Sequence, residues 1–137
     1  MTGGGPAPLS VKGVCLDAGG RVLVCRNWRR EWELPGGRPE LGEDLPACLR
    51  REIEEETGLR VDVRALVTAY PFEVLQGRWV TIVAYGCAPR AARRLHTSGE
   101  HVHVAFKHLA ELSRREFPDG YRDAARLWQE RRAMSHN

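Results

Sequence analysis

The chain has 137 residues, the usual size of one compact domain, and leaves little room for a second. Its hydrophobic fraction of 42% against 28% charged residues lets a single core form, and no apolar run approaches the length that crosses a bilayer. The formal net charge of +3 is mild: it suits an anionic substrate but does not by itself single one out.

Residues 1–8 are rich in Gly and Pro and lack the charged-then-apolar pattern of a signal, so they read as a flexible tail and the expected location is cytoplasmic. Residues 9–134 form one domain, and 135–137 a short C-terminal tail. Cys15, Cys25, Cys48 and Cys87 are scattered through apolar stretches, with no C-x-x-C pair and no accompanying His cluster. That spacing argues against structural zinc and for reduced, buried thiols.

In chain order, 9–16 alternates as a strand. Asp17-Ala18-Gly19-Gly20 has turn chemistry, and 21–25 returns as a second strand, which predicts a hairpin. Residues 27–31 are polar and loop-like, and 32–34 is a short extended piece that runs into the breaker Pro35-Gly36-Gly37. A helix follows, with Asp44 as N-cap, Pro46 in its first turn and Gly58 as terminator. Three strands are expected next, at 59–69, 71–75 and 79–87, then a half-buried strand at 101–106 and a short helix at 107–112. A second long helix spans 119–134, with Tyr121, Ala124, Ala125, Leu127 and Trp128 as its apolar positions. Strands interleaved with two main helices indicate the α/β class, an α/β/α sandwich around a mixed central sheet.

The first helix is more acidic than stability alone would favour. Leu45, Leu49 and Ile53 make one stripe, and Glu52, Glu55 and Glu56 stand beside it at i, i+3 and i+4, while Glu54 points away. Like charges at these spacings repel by roughly 0.2–0.5 kcal/mol per pair. Acids in the last turn oppose the helix dipole at about 0.3–1 kcal/mol each. Arg50 and Arg51 offset part of this, and a divalent cation is the natural partner for the rest: Mg²⁺ prefers carboxylate oxygens and is often shared with substrate phosphates. Taken alone, an E-x-E-E tract is more readily a solvated helix face.

The preceding loop makes the pattern specific. Gly37, Glu43 after five residues, Arg51-Glu52-Ile53 after seven more, then Glu55-Glu56 and Gly58-Leu59 follow G-x5-E-x7-R-E-U-x-E-E-x-G-U, with U a bulky aliphatic residue. The segment resembles the Nudix box at every specified position.

That resemblance implies a hydrolase that cleaves a pyrophosphate bond in a nucleoside diphosphate-linked compound, with Mg²⁺ or Mn²⁺ as cofactor. By similarity, Glu52, Glu55 and Glu56 would hold metal, Glu56 foremost, joined by the backbone carbonyl of Gly36. Glu43 would bind metal or support the ligands, and Arg51 would orient a neighbouring carboxylate. The base that takes a proton from water would be Glu52 or Glu100, the latter in the loop before the strand at 101–106.

Substrate clues are thinner. Trp28 and Trp32 flank the loop before the box and one is placed to stack on a base, though packing is the plainer role for Trp32. Arg26, Arg29 and Arg30 are placed to meet phosphates or simply to solvate the surface. The partner implied is a small-molecule nucleotide: a nucleoside triphosphate, nucleotide sugar, ADP-ribose or dinucleoside polyphosphate. No membrane partner is expected, and a homodimer is left open. Two alternatives stand beside this reading, a nucleotide-sensing module without catalysis and an RNA 5′-end pyrophosphohydrolase. Sensors of this kind usually lose a box carboxylate, whereas this chain keeps all of them. The C-terminal arginines are interspersed with acids, which favours a solvated helix over a nucleic-acid surface.

Overall fold

The computed structural model describes residues 7–90, 94–97, 99 and 103–135. Most of the two expected tails, and Glu100 and His101 with them, lie outside the described residues. Among the described residues seven strands and two helices follow one another: β1 (Leu9–Cys15), β2 (Val22–Arg26), β3 (Trp32–Glu33), β4 (Gly36–Gly37), α1 (Leu45–Thr57), β5 (Val61–Leu75), β6 (Arg78–Pro89), β7 (His103–Lys107), a 3-10 turn (Leu109–Glu111) and α2 (Asp119–Ser135).

The strands make two sheets. One is mixed, in the order β4-β1-β6-β5, and the other has the order β3-β2-β7. Strand β1 runs parallel to β6 from Leu9↔Thr81 to Cys15↔Cys87, while β5 and β6 are antiparallel. The predicted hairpin between β1 and β2 is corrected. The Asp17–Gly20 turn is there, with Gly20 N donating to Asp17 O and Asp17 N to Arg21 O, both at 3.0 Å, but the pairing stops at the Leu16↔Val22 bridge and the two strands enter different sheets. The reason is burial: β1 is buried along most of its length and takes a neighbour on each side, β4 and β6. A second correction concerns the strands expected at 59–69 and 71–75, which are one strand, β5, with register shifts at Val63/Ala65, Leu66/Thr68 and Glu73/Leu75. Pro71 is tolerated because β5 is an edge strand, where the missing N–H breaks no ladder bond.

Alternation along β1 separates the two faces of the mixed sheet. Val11 and Cys15 turn toward Cys48, Leu49 and Ile53 of α1. Val14 and Leu16 turn the other way, toward Phe117 and toward Tyr121, Ala124, Ala125 and Trp128 of α2. The expected α/β/α layering results. Leu49 and Ile53 are fully buried, worth about 1.5–3 kcal/mol each, and this sets how deeply α1 sits on the sheet.

Both ends of α1 are capped as expected. The Asp44 side chain accepts from Ala47 N at 2.8 Å, and Gly58, left-handed at φ 78°, donates its N–H to Glu54 O at 2.9 Å. No basic residue stands in the last turn to balance its glutamates.

Candidate functional site

The Pro35-Gly36-Gly37 corner lies against β1, with Lys12↔Gly36 and Val11↔Gly37 in register and Gly13 N donating to Pro35 O at 3.0 Å. Gly36 has φ 152°, and a Cβ there would fall on the Val11 carbonyl oxygen, so only glycine brings the corner this close. At Gly37 a Cβ would stand 2.6 Å from the carboxyl carbon of Glu52; the bare Cα makes room for that carboxylate.

From the last turns of α1, Glu56 reaches the same corner. Its Oε1 accepts the Gly36 N–H at 3.1 Å, and the residue is only 4% exposed. A carboxylate this deep is costly unless it is paired, and the Lys12 ammonium lies within its electrostatic reach. Arg51 organises the other acids. Its Nε and Nη2 donate to the two oxygens of Glu43, both at 2.8 Å, and its Nη1 donates to Glu52 Oε1 at 2.9 Å and more weakly to Glu55 at 3.5 Å. This fork is the charge-assisted geometry that guanidinium supplies and ammonium does not. The Arg51 hydrogen bond holds the Glu43 carboxyl well below the usual range, at about 2, and Glu43 in turn raises Arg51.

Of the three glutamates expected to converge, Glu52 and Glu56 meet at the corner. Glu55 meets Arg51 at 3.5 Å with its side chain 57% exposed, and Glu54 pairs with Arg60 at 3.0 Å. Among the described residues no three acidic, His or Cys side chains stand close enough to cage an ion. Their carboxylates are spread over separate donors, Glu56 on the Gly36 N–H and the others on Arg51. The donor set of carboxylate and peptide oxygens is of the kind a hard divalent cation prefers, and the room left by Gly37 lets Glu52 reach it.

The residues expected to meet substrate separate. Trp28 is 77% exposed with the Arg29 guanidinium over its ring. Trp32 is buried in the core, between Arg26 at 5.3 Å and Lys107 at 5.2 Å, with His103 at its edge; Arg26 also pairs with Glu116 at 3.4 Å. Beside Trp32 opens a cleft whose walls are Glu33, Phe72, Val74, Pro118 and Tyr121. Glu100 lies outside the described residues. Another hollow, between the Asp17–Gly20 turn and Gln129, Arg132 and Ala133 of α2, contains no box residue. Sequence reasoning missed Lys12, Glu33 and the polar side of Tyr121. The signal for Lys12 was present: it is in phase with the buried Val14 and Leu16 on β1, where a lysine interrupts an apolar face.

Residues 6–128 match the model of the NUDIX domain. A MutT-like protein of Streptomyces ambofaciens is 35% identical over 108 residues, 78% of this chain and 68% of that protein. The 8-oxo-dGDP phosphatase NUDT18 of Homo sapiens is 36% identical over 75 residues, 46% of this chain but only 23% of that longer protein. Among solved structures, the MutT protein of Methanosarcina mazei Go1 superposes with a TM-score of 0.78 at 22% identity, covering 94% of this chain and 97% of that one, a likeness of fold.

Proposed function

The chain belongs to the Nudix hydrolase family, whose members act on nucleoside diphosphate-linked compounds, and on that premise we propose a Mg²⁺- or Mn²⁺-dependent pyrophosphohydrolase of a small nucleotide. The observation that carries this reading is the corner itself. A carboxylate buried to 4% exposure bonds the Gly36 N–H, and a second, Glu52, sits against the bare Cα of Gly37.

Glu56, Glu52 and the Gly36 carbonyl would hold the ion, with Glu55 and Glu43 supporting them. When bound, a divalent cation neutralises diphosphate oxygens and acidifies water. Arg51 keeps Glu43 ionised, and its hydrogen bonds orient both Glu43 and Glu52. Glu52, or Glu100 just ahead of β7 in the sequence, would take the proton from the attacking water. The cleft beside Trp32, walled by Phe72 and Tyr121, suits a flat aromatic base; Arg26 lies over the Trp32 ring, and Arg29, which lines the cleft, lies over the exposed Trp28. Four free, buried thiols suit a reducing compartment, and we assign the protein to the cytoplasm.

The test is turnover of a nucleotide panel with Mg²⁺ or Mn²⁺, products being identified by mass. Pyrophosphate from a triphosphate or AMP from ADP-ribose would name the subclass. Glu56→Gln is expected to abolish turnover with the fold retained. Full activity in that variant refutes the assignment, and tight binding of a nucleotide with no cleavage would favour a sensor.

A further inference from the structure

Lys12 is a lysine inside the protein, 9% exposed, on the face of β1 that it shares with Val14 and Leu16. A leucine or methionine in phase with those residues would fill the same face without burying a charge, so stability alone does not account for it. Its surroundings do. The ammonium donates to Leu34 O at 3.1 Å and sits 5.7 Å from the centre of the Tyr121 ring, in the first turns of α2. Burial works against its charge, but the field of Tyr121, Glu33 and Glu56 outweighs that and raises its pKa. The same residue is in ladder register with Gly36. Lys12 thus holds the corner twice, by backbone at Gly36 and by side chain at Leu34, and its far end touches the cleft wall.

We propose that Lys12 is a positioning residue that ties the corner of residues 34–37 to the cleft wall at Tyr121, and so fixes the Gly36 carbonyl for the ion. The inference rests on the metal-dependent reading above. A second role for the charge would have the opposite sign: deleting a cation beside the site of a dication tightens binding of that ion. Positioning and charge are therefore separable by one measurement.

That measurement is Mn²⁺ titration by calorimetry without nucleotide, with kcat and KM on a turned-over substrate as companions. Lys12→Met keeps the stem and removes the donors; its Mn²⁺ dissociation constant is expected to rise about 10–100-fold, the usual effect of losing a group that orients a metal ligand. The kcat is expected to fall comparably with KM for the nucleotide nearly unchanged. Lys12→Arg, which retains cation and donors, is expected to recover most of both losses. Mn²⁺ binding by Lys12→Met as tight as in the parent, or tighter, overturns the proposal, and so does an arginine variant as impaired as the methionine one. If Lys12→Met does not fold, Tyr121→Phe removes the hydroxyl facing the ammonium. A weakening of about 2–10-fold, the worth of one hydrogen bond, is then expected, and no change overturns the proposal. Glu56→Gln is the control: if it binds Mn²⁺ like the parent, the metal reading has failed rather than the role of Lys12.

Discussion

Gly36→Ala and Gly37→Ala add the same methyl group one residue apart, against very different neighbours. At Gly36 the backbone has φ 152° and the methyl group meets the main chain of β1 at Val11, which cannot move without opening the β1–β4 pairing. The conformational strain costs about 1–3 kcal/mol. Losing the Gly36 N–H bond to Glu56 and a ladder contact costs about 1 kcal/mol each. Gly36→Ala is therefore expected to lose about 3–5 kcal/mol, a drop of roughly 1–3 M in the urea midpoint. At Gly37 the nearest atoms the methyl group meets are the end of the Glu52 side chain, at 2.6–2.9 Å, and a flexible end swings aside. Stability should stay within about 0.5 kcal/mol. The displaced carboxylate should lower turnover by about 10–100-fold. Urea unfolding followed by tryptophan fluorescence and steady-state kinetics on both variants make the comparison. Equal midpoints for the two, or full turnover in Gly37→Ala, would refute the claim that one glycine serves the backbone and the other serves Glu52.

Arg51→Lys keeps the charge but loses the fork on Glu43, so kcat/KM is expected to fall about 10–100-fold in a protein that remains folded; an unchanged value would mean the fork orients nothing. The Glu43 carboxyl lies at about 2 in the folded chain against an ordinary value of 4.5. A depressed folded value contributes stability that is fully present above about pH 4.5 and is lost as pH falls through 2. Carboxyl ¹³C titration should show the low midpoint, and it should return toward the ordinary value in Arg51→Lys; a Glu43 that titrates near 4.5 in the parent contradicts the pairing.

Much of the site was legible because its grammar is local. The cap at Asp44, the left-handed Gly58 and the i, i+3, i+4 placement of Glu52, Glu55 and Glu56 follow from helical periodicity alone. The spacing of the box brought Gly37, Glu43 and Arg51 into the reading before any contact was known. What local grammar cannot reach is which side chain wins a shared partner. Arg51 engages Glu43 and Glu52 closely and Glu55 only at 3.5 Å, so Glu55 stays exposed, while Glu56 accepts the Gly36 N–H.

Pairing between distant segments was likewise beyond the sequence. Alternation at 9–16 and 21–25 with a turn between them fits a hairpin, yet β1 lies beside β6, whose residues follow some seventy positions later. The local pattern says that a face is apolar and leaves open which distant strand will cover it. By itself the sequence determined the α/β class, the first helix with its caps, and the residue types gathered at the candidate site. Only the tertiary structure decided the division into two sheets, the unbroken β5, the cleft at Trp32 and Tyr121, and the inward turn of Lys12 onto Leu34. Each of these depends on contacts between residues far apart in the chain, where burial and charge pairing, rather than local propensity, select the partner.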